Sequence, residues 1–327
     1  MNDSVNTVRA MWHGSALSVY EELSLLSFVK CGHAVELYTY DHLDAPAGVK
    51  LCDANGVLPE SEVFSYKQGW GKGSFAAFSD IFRYKLLYEK GGIWADLDLL
   101  CLRPLGDLAD AFVGRVSDKI IGSGMMKLPA GDPLSKELYE KSIALGKDFR
   151  FGQAGPSLLR SVLQQGGFHC EILPTQTFYP IHLEEASLLI DPDEDLNCRK
   201  KAEASHCVHW WNTILKGIGL PKEALPPKGS FLHSEAERVF GNRELKAWSS
   251  DAVRLWIDNH IAGINNHRLH KEELSTLKKA VKKCEAERAL LLAQVEQQQS
   301  MLKELDASPS AMIRVRNTIK RMLRQNT

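Results

Sequence analysis

The stretch FSDIFRYKLLYEKGGIWADLDLL, residues 78–100, constrains this chain more than any other. With the preceding GSFAA it predicts a helix: apolar residues recur at Phe75, Phe78, Phe82 and Leu86, Ser74 is placed to cap it, and Gly91 and Gly92 end it. IWADLDLLCL then reads as a strand. Residues two apart on a regular strand share a face, so Asp96 and Asp98 are expected side by side. Asp80 and Arg83, three apart on the helix, share a face as well. Two carboxylates enclosed without a cation repel and are costly to desolvate, and a hard divalent ion relieves both problems. Asp-Leu-Asp alone is a weak signal, because acidic pairs are common on solvated surfaces. Its place in an apolar strand, behind two glycines and downstream of Asp80 and Arg83, gives it weight.

The flanking segments place that block in a fold. VRAMWHG predicts a strand, YEELSLLSFVKCG a helix stopped by Gly32, and HAVELYTYD a second strand, and this order argues for a parallel α/β sheet. Ligands of such sheets gather at the carboxyl ends of the strands, which here deliver Trp12, Tyr40 with Asp41, and Asp96 with Asp98. Further on, IIGSGMMKL predicts a strand, LSKELYEKSIAL and GPSLLRSVLQQG predict helices, and CEILPTQTFYPI reads as an irregular strand bounded by prolines. HCVHWWN at 206–212 is a histidine and tryptophan cluster near the end of this domain. Trp94 reads as core, and Trp70, before the GKG turn, as a candidate lid residue.

The turn-rich IGLPKEALPPKG suggests a boundary, giving a catalytic domain over 1–228, a helical linker region over 229–269, a coiled coil over 270–307 and a basic amphipathic tail over 308–327. Leu274, Leu277, Val281, Cys284, Leu291, Val295, Leu302 and Leu305 alternate by three and four, with Arg288 and Gln298 as polar intruders in the same seam. A homo-oligomer through that seam is the expectation, with an intramolecular helix as the alternative. Beyond Pro309, AMIRVRNTIKRMLRQ holds five basic residues and no acidic one. It suits an anionic membrane surface, a partner protein, or a solvated end.

A formal net charge of -1 gives no global field for nucleic acid, so no nucleic-acid partner is expected. Without an 18-residue apolar window or a signal-peptide pattern, a cytoplasmic location is expected. Seven scattered cysteines, odd in number and without CxxC pairing, read as reduced structural thiols.

SDIFRY at 79–84 and GGIWADLDLLCLRPL at 91–105 resemble, in order and spacing, the glycosyltransferases with a DXD-containing sugar-binding region. That group includes yeast-type mannosyltransferases, lactosylceramide galactosyltransferases and bacterial polysaccharide transferases, with the clostridial glucosylating toxins more distant. The resemblance implies a GT-A type, Rossmann-like α/β domain, here with a C-terminal helical and coiled-coil extension. It implies that Asp80 and Arg83 contact the donor sugar and phosphates, that Asp96 reaches the ribose or sugar side, and that Asp98 binds Mn2+ or Mg2+. Trp12 is similar to the aromatic residue beside the donor base, with Tyr40 a further donor-site candidate. HWWN resembles the family's His-x-Trp-Asn segment, which makes His209, Trp211 and Asn212 candidates for closing over the diphosphate and His209 a candidate metal ligand. KIIGSGMMKLPAGDP replaces the family's Asn-rich segment, a departure that bears on the acceptor side.

The implied reaction is metal-dependent transfer of a sugar, with retention, from a UDP-sugar or GDP-sugar to a hydroxyl of a glycan or lipid-linked glycan. UDP is favoured by the family alone. The implied setting is bacterial surface polysaccharide synthesis, at the cytoplasmic face of the inner membrane if the basic tail binds there. The alternatives are a protein-glycosylating toxin or effector, and a sugar-nucleotide or glycan binding module without turnover, organised by the coiled coil.

Overall fold

The computed structural model describes residues 6–67, 71–146, 150–307 and 309–324, with side chains at all of these except 264–271, 304–307, 309, 311, 322 and 323. Trp70 lies outside the described residues. The chain divides into two units, residues 1–260 and 261–327.

In the first unit, β1 (Val8–Trp12) is followed by α1 (Val19–Lys30) and β2 (Val35–Thr39), which pairs parallel to β1. A capping box starts α1: Ser18 Oγ accepts the Tyr20 N–H at 3.3 Å, and Glu21 accepts the Ser18 N–H at 2.9 Å. Gly32, at φ +84°, turns the chain after Cys31. β3 (Val49–Asp53) adds parallel to β2. α2 (Ala76–Lys90) then buries Phe78, Phe82 and Leu86, as the apolar spacing predicts, and Ser74 Oγ accepts the Ala76 N–H at 3.2 Å. β4 (Gly92–Ala95) returns alongside β1, also parallel.

The chain continues through β5 (Leu99–Cys101), β6 (Phe112–Ser117), β7 (Ile120–Leu128), α3 (Pro133–Ala144), α4 (Leu158–Gln165), β8 (Glu171–Leu173), α5 (Thr175–Phe178), α6 (Asp195–Ala202), β9 (Cys207–His209), α7 (Asn212–Ile218) and α8 (Phe231–Phe240). The main sheet has the order β3-β2-β1-β4-β7-β6-β8, with β7 antiparallel to both neighbours. A parallel Rossmann-like half is thus extended by an antiparallel strand, in keeping with the α/β class expected from the sequence. β5 and β9 form a second, two-stranded antiparallel sheet. The cysteines are all free.

Two sequence expectations are corrected. IWADLDLLCL is not one strand. Asp96 makes the last ladder bond of β4, its N–H donating to Gly124 O at 2.8 Å, and the Leu99 N–H then turns back onto Asp96 O at 3.2 Å. β4 ends at Ala95, and the chain next joins a ladder as β5, which pairs with β9 outside the main sheet. The nearness of Asp96 and Asp98 is therefore set by a turn between two sheets and not by strand alternation. CEILPTQTFYPI likewise gives a three-residue strand and then α5, since Pro174 cannot donate to a ladder but suits the start of a helix.

α8 belongs to the first unit, burying Phe231, Leu232, Ala236 and Val239 in a cluster with Trp210 and Ile218. α9 (Ser250–Ala307) starts there with buried Val253. The second unit consists of the rest of α9 and of α10 (Pro309–Leu323). Among the described residues, no helix is long and apolar enough to cross a membrane.

Gly91 fixes the angle at which α2 hands over to β4. Its φ of 65° and ψ of -163° lie in a region open almost only to glycine, and a Cβ there would stand 2.5 Å from Ala130 N. Gly91→Ala is expected to lower the free energy of urea unfolding by about 2 kcal/mol or more. A loss below about 0.5 kcal/mol, the size of an ordinary surface substitution, would contradict this account of the turn.

Candidate active site

Asp80 and Arg83 are one turn apart on α2, and both are buried. Arg83 Nη1 stands 3.3 Å from Asp80 Oδ1, and Nη2 stands 2.9 Å from Asp96 Oδ1 at the end of β4. The same guanidinium donates to the Ser123 carbonyl of β7 and, through Nε at 3.3 Å, to Ser79 O. Ser123 Oγ donates to Asp80 Oδ1 at 3.0 Å, and Trp94 Nε1 donates to Asp96 Oδ1 at 2.8 Å. Arg83 also lies over the Trp94 ring, 4.9 Å from its centroid. Two glycines make room for the carboxylates: a Cβ at Gly124 would be 2.8 Å from Asp96 Oδ2, and one at Gly155 would be 2.5 Å from Asp80 Oδ2.

Asp98 faces the second sheet. Its Oδ1 is 3.1 Å from His209 Nε2, and its Oδ2 accepts the Asn212 N–H at 3.0 Å. His209 is in register with Leu99 across β5 and β9, which brings it beside the acidic turn. Trp211, at φ 56° the one non-glycine residue with positive φ among the described residues, donates its backbone N–H to His209 Nδ1 at 3.0 Å. A backbone N–H can only donate, so a neutral His209 carries its proton on Nε2, facing Asp98. The Trp211 ring packs on the His209 ring with centroids 4.2 Å apart.

Burial raises the pKa of Asp80 to about 6 despite the pull of Arg83. Burial also raises Asp96, with Arg83 opposing and the Asp98 charge adding to the rise. Asp98 goes the other way. Burial alone would raise it, but His209, the Asn212 N–H and Lys222 together bring it below the ordinary carboxylate value. The acidic turn therefore holds a carboxylate that ionises readily beside one that resists.

Asp96, Asp98 and His209 each offer a ligand atom, and these atoms lie within 4.8 Å of one another. Two carboxylates and an imidazole form a donor set that fits Mn2+ well and Mg2+ less well, because Mg2+ favours oxygen alone. Ligation at His209 Nε2 would release the proton now shared with Asp98.

Of the residues singled out in the sequence, Asp80, Arg83, Asp96, Asp98, His209, Trp211 and Asn212 come together here. Trp12 stands at the end of β1, donates its indole N–H to Ala16 O at 3.0 Å, and has Lys222 Nζ 6.0 Å from its ring centroid. Tyr40 lies one strand further out, its hydroxyl donating to Leu58 O at 2.9 Å and its ring near His13 and Phe78. Asp41 accepts the Gly14 N–H at 3.0 Å, pinning the loop after Trp12.

Sequence reading missed several participants. Ser123 and Gly124 lay in a segment read as a strand and as a departure from the family pattern, and Gly155 in an ordinary helix start. Lys222, which pairs with buried Glu21, sat in a segment read as a boundary. The Tyr179 hydroxyl is buried with no hydrogen-bond partner among the described residues, and its ring is 5.6 Å from that of His209. One available signal was Trp94: a buried indole N–H usually finds an acceptor, and Asp96 is the nearest in sequence.

Residues 54–121 match the family described as glycosyltransferase sugar-binding region containing DXD motif. Over this segment the chain is similar to that family. The matched segment includes Asp80, Arg83, Asp96 and Asp98 and ends before His209. No curated protein matches the chain. Among solved structures it is similar to PaToxG glycosyltransferase, at 17% identity over 49% of this chain and 69% of that one with a TM-score of 0.36. It is also similar to mouse xyloside xylosyltransferase 1 in its apo form, at 13% identity over 53% of this chain and 86% of that one with a TM-score of 0.33.

The raised pKa of Asp80 has a sign that can be checked. Folded Asp80 holds its proton up to about pH 6, whereas an unfolded aspartate loses it near pH 4. Its contribution to stability is thus complete below about pH 4 and is lost as the pH rises through about 6. Unfolding free energies measured from pH 4 to 7 in EDTA are expected to show a shallower fall with rising pH in Asp80→Asn than in the parent. Identical slopes would contradict the assignment.

Proposed function

We propose that this protein is a metal-dependent, retaining glycosyltransferase that moves a sugar from a nucleoside diphosphate sugar, UDP-linked by preference, to a hydroxyl of a glycan or lipid-linked glycan. The observation that carries the reading is the convergence of Asp96, Asp98 and His209. In this proposal these residues hold Mn2+, or Mg2+ in its place. The bound ion supplies positive charge against the diphosphate, the group on which negative charge grows as the anomeric bond breaks.

The other residues divide the remaining work. Trp12 offers its ring to the base at the end of β1, with Tyr40 flanking that side. Asp80 and Arg83 are both buried and bonded to each other and to their surroundings, which supports a positioning role: they fix Asp96 toward the donor. Asp80 has one oxygen on Arg83 and Ser123 and the other against Gly155, so it is poorly placed as a nucleophile. That supports retention without an enzyme-bound glycosyl intermediate, the departing phosphate assisting deprotonation of the acceptor hydroxyl. Trp211 and Asn212, beside Asp98, are proposed to close over the diphosphate.

The acceptor class, a role in bacterial surface polysaccharide synthesis and a place at the cytoplasmic face of the inner membrane rest on the family resemblance. The four basic residues of α10, Arg324 just after it, and the exposed Met312, Ile313 and Ile319 support contact with an anionic surface. The heptad seam of α9 supports a homo-oligomer.

The test is nucleoside diphosphate release from UDP-sugars and GDP-sugars with Mn2+, Mg2+ or EDTA. Release is expected with metal, and it should fall by about 100-fold or more in Asp98→Asn. Release that survives EDTA and the substitution would overturn the metal-dependent reading. Donor binding without turnover on any glycan would return the chain to a binding module, and transfer to peptides alone would make it a protein-modifying effector.

A further inference from the structure

We propose that residues 274–305 of α9 pair two copies of this chain as a parallel, in-register coiled coil. The inference is independent of the sugar-transfer reading, since none of its residues belongs to the site described above.

α9 runs unbroken through this stretch, and in one chain its seam is open to solvent. Leu274, Val281, Val295 and Leu302 at the a positions, with Leu277 and Leu291 at d, are each between 47% and 64% exposed. The alternation of three and four holds without a slip from Leu274 to Leu305. A strict 3.5-residue repeat drifts around a straight helix unless two helices supercoil about each other. Such a seam needs a cover with the same repeat, and a second copy supplies it.

The side chains choose the number of strands and their direction. Valine at a with leucine at d favours two parallel strands over three or four. Arg288 at a is tolerated where that layer stays open at its flank, as in a two-stranded coil, and Glu287 in the preceding g position offers it a carboxylate from the partner helix. Glu273 at g faces Lys278 at the following e position of the second copy, an opposite-charge pair across the seam. In parallel register each polar layer meets itself, Arg288 on Arg288 and Gln298 on Gln298, and every apolar layer stays apolar. An antiparallel pair that sets Arg288 against Gln298 leaves Leu274 and Leu277 with no counterpart within 274–305, so the parallel arrangement keeps more of the seam covered.

Two consequences follow from chain direction alone. The chain preceding the coil enters it at one end in both copies, and the chain leading to the basic α10 leaves at the other. Doubling a weak cationic contact raises its avidity without any new residue.

Cys284 at d reports the register, since in this arrangement its thiol meets that of the partner copy. The experiment uses the full chain. Light scattering should give the mass of two chains, and diamide should convert two Cys284 thiols to one intermolecular disulfide. That crosslinked band should vanish in Cys284→Ser while the mass of two chains persists. Val281→Asp combined with Leu291→Asp should give one chain, with the thermal unfolding of the first unit unchanged. A single-chain mass for the parent protein would overturn the proposal, as would three or more chains. Two chains without a Cys284 crosslink would overturn the parallel register.

Discussion

The guanidinium of Arg83 joins three elements, α2, β4 and β7. It meets Asp80 on its own helix, Asp96 at the end of β4, and the Ser123 carbonyl in β7. A planar fork of five donors can do this, and an ammonium cannot. Without it Asp80 and Asp96 would be two carboxylates sharing a buried space, each raising the other's proton affinity. With it, Asp96 has one oxygen fixed by Arg83 and Trp94 and the other turned toward Gly124. The orientation of Asp96 is therefore settled by two buried donors, Arg83 and Trp94.

The opposite wall is built differently. Asp98 lies in the turn before β5 and His209 at the end of β9, which pairs with β5, and the positive φ of Trp211 turns its N–H back onto His209. A strained backbone at that point persists because Trp211 is held twice more, by its ring on His209 and by its indole N–H, which donates to Ile181 O at 2.9 Å. One carboxylate is thus held by a buried arginine, and the other by a histidine whose tautomer the backbone selects.

Much of this was legible in the sequence because it is local. The apolar repeat of α2, the glycines that end it, and the carboxylates after β4 all lie within about one turn of helix or strand, where periodicity speaks directly. The break after Ala95 was not legible. Strand alternation continues smoothly through Leu97 and Leu99, and only the separate pairing of β5 with β9 ends it. Ser123 lies 43 residues from its partner Asp80, and Asn212 lies 114 residues from Asp98, so neither contact leaves a local trace. His209 and Trp211 were found because their cluster is chemically unusual and resembles a family segment. Lys222 was passed over because prolines and glycines around it read as a turn, which says nothing of where the turn delivers a charge.

In the proposed function, Asp96, Asp98 and His209, whose ligand atoms lie within 4.8 Å of one another, form one cation site without the help of a nucleotide. Its most direct test is a Mn2+ titration followed by electron paramagnetic resonance on nucleotide-free protein, for the parent chain and for His209→Gln. The account predicts one ion per chain in the parent. In the variant it predicts binding weaker by at least the roughly 10–100-fold that loss of even an outer-shell partner costs a metal site. Equal affinity in the two proteins, with both folded, would contradict it.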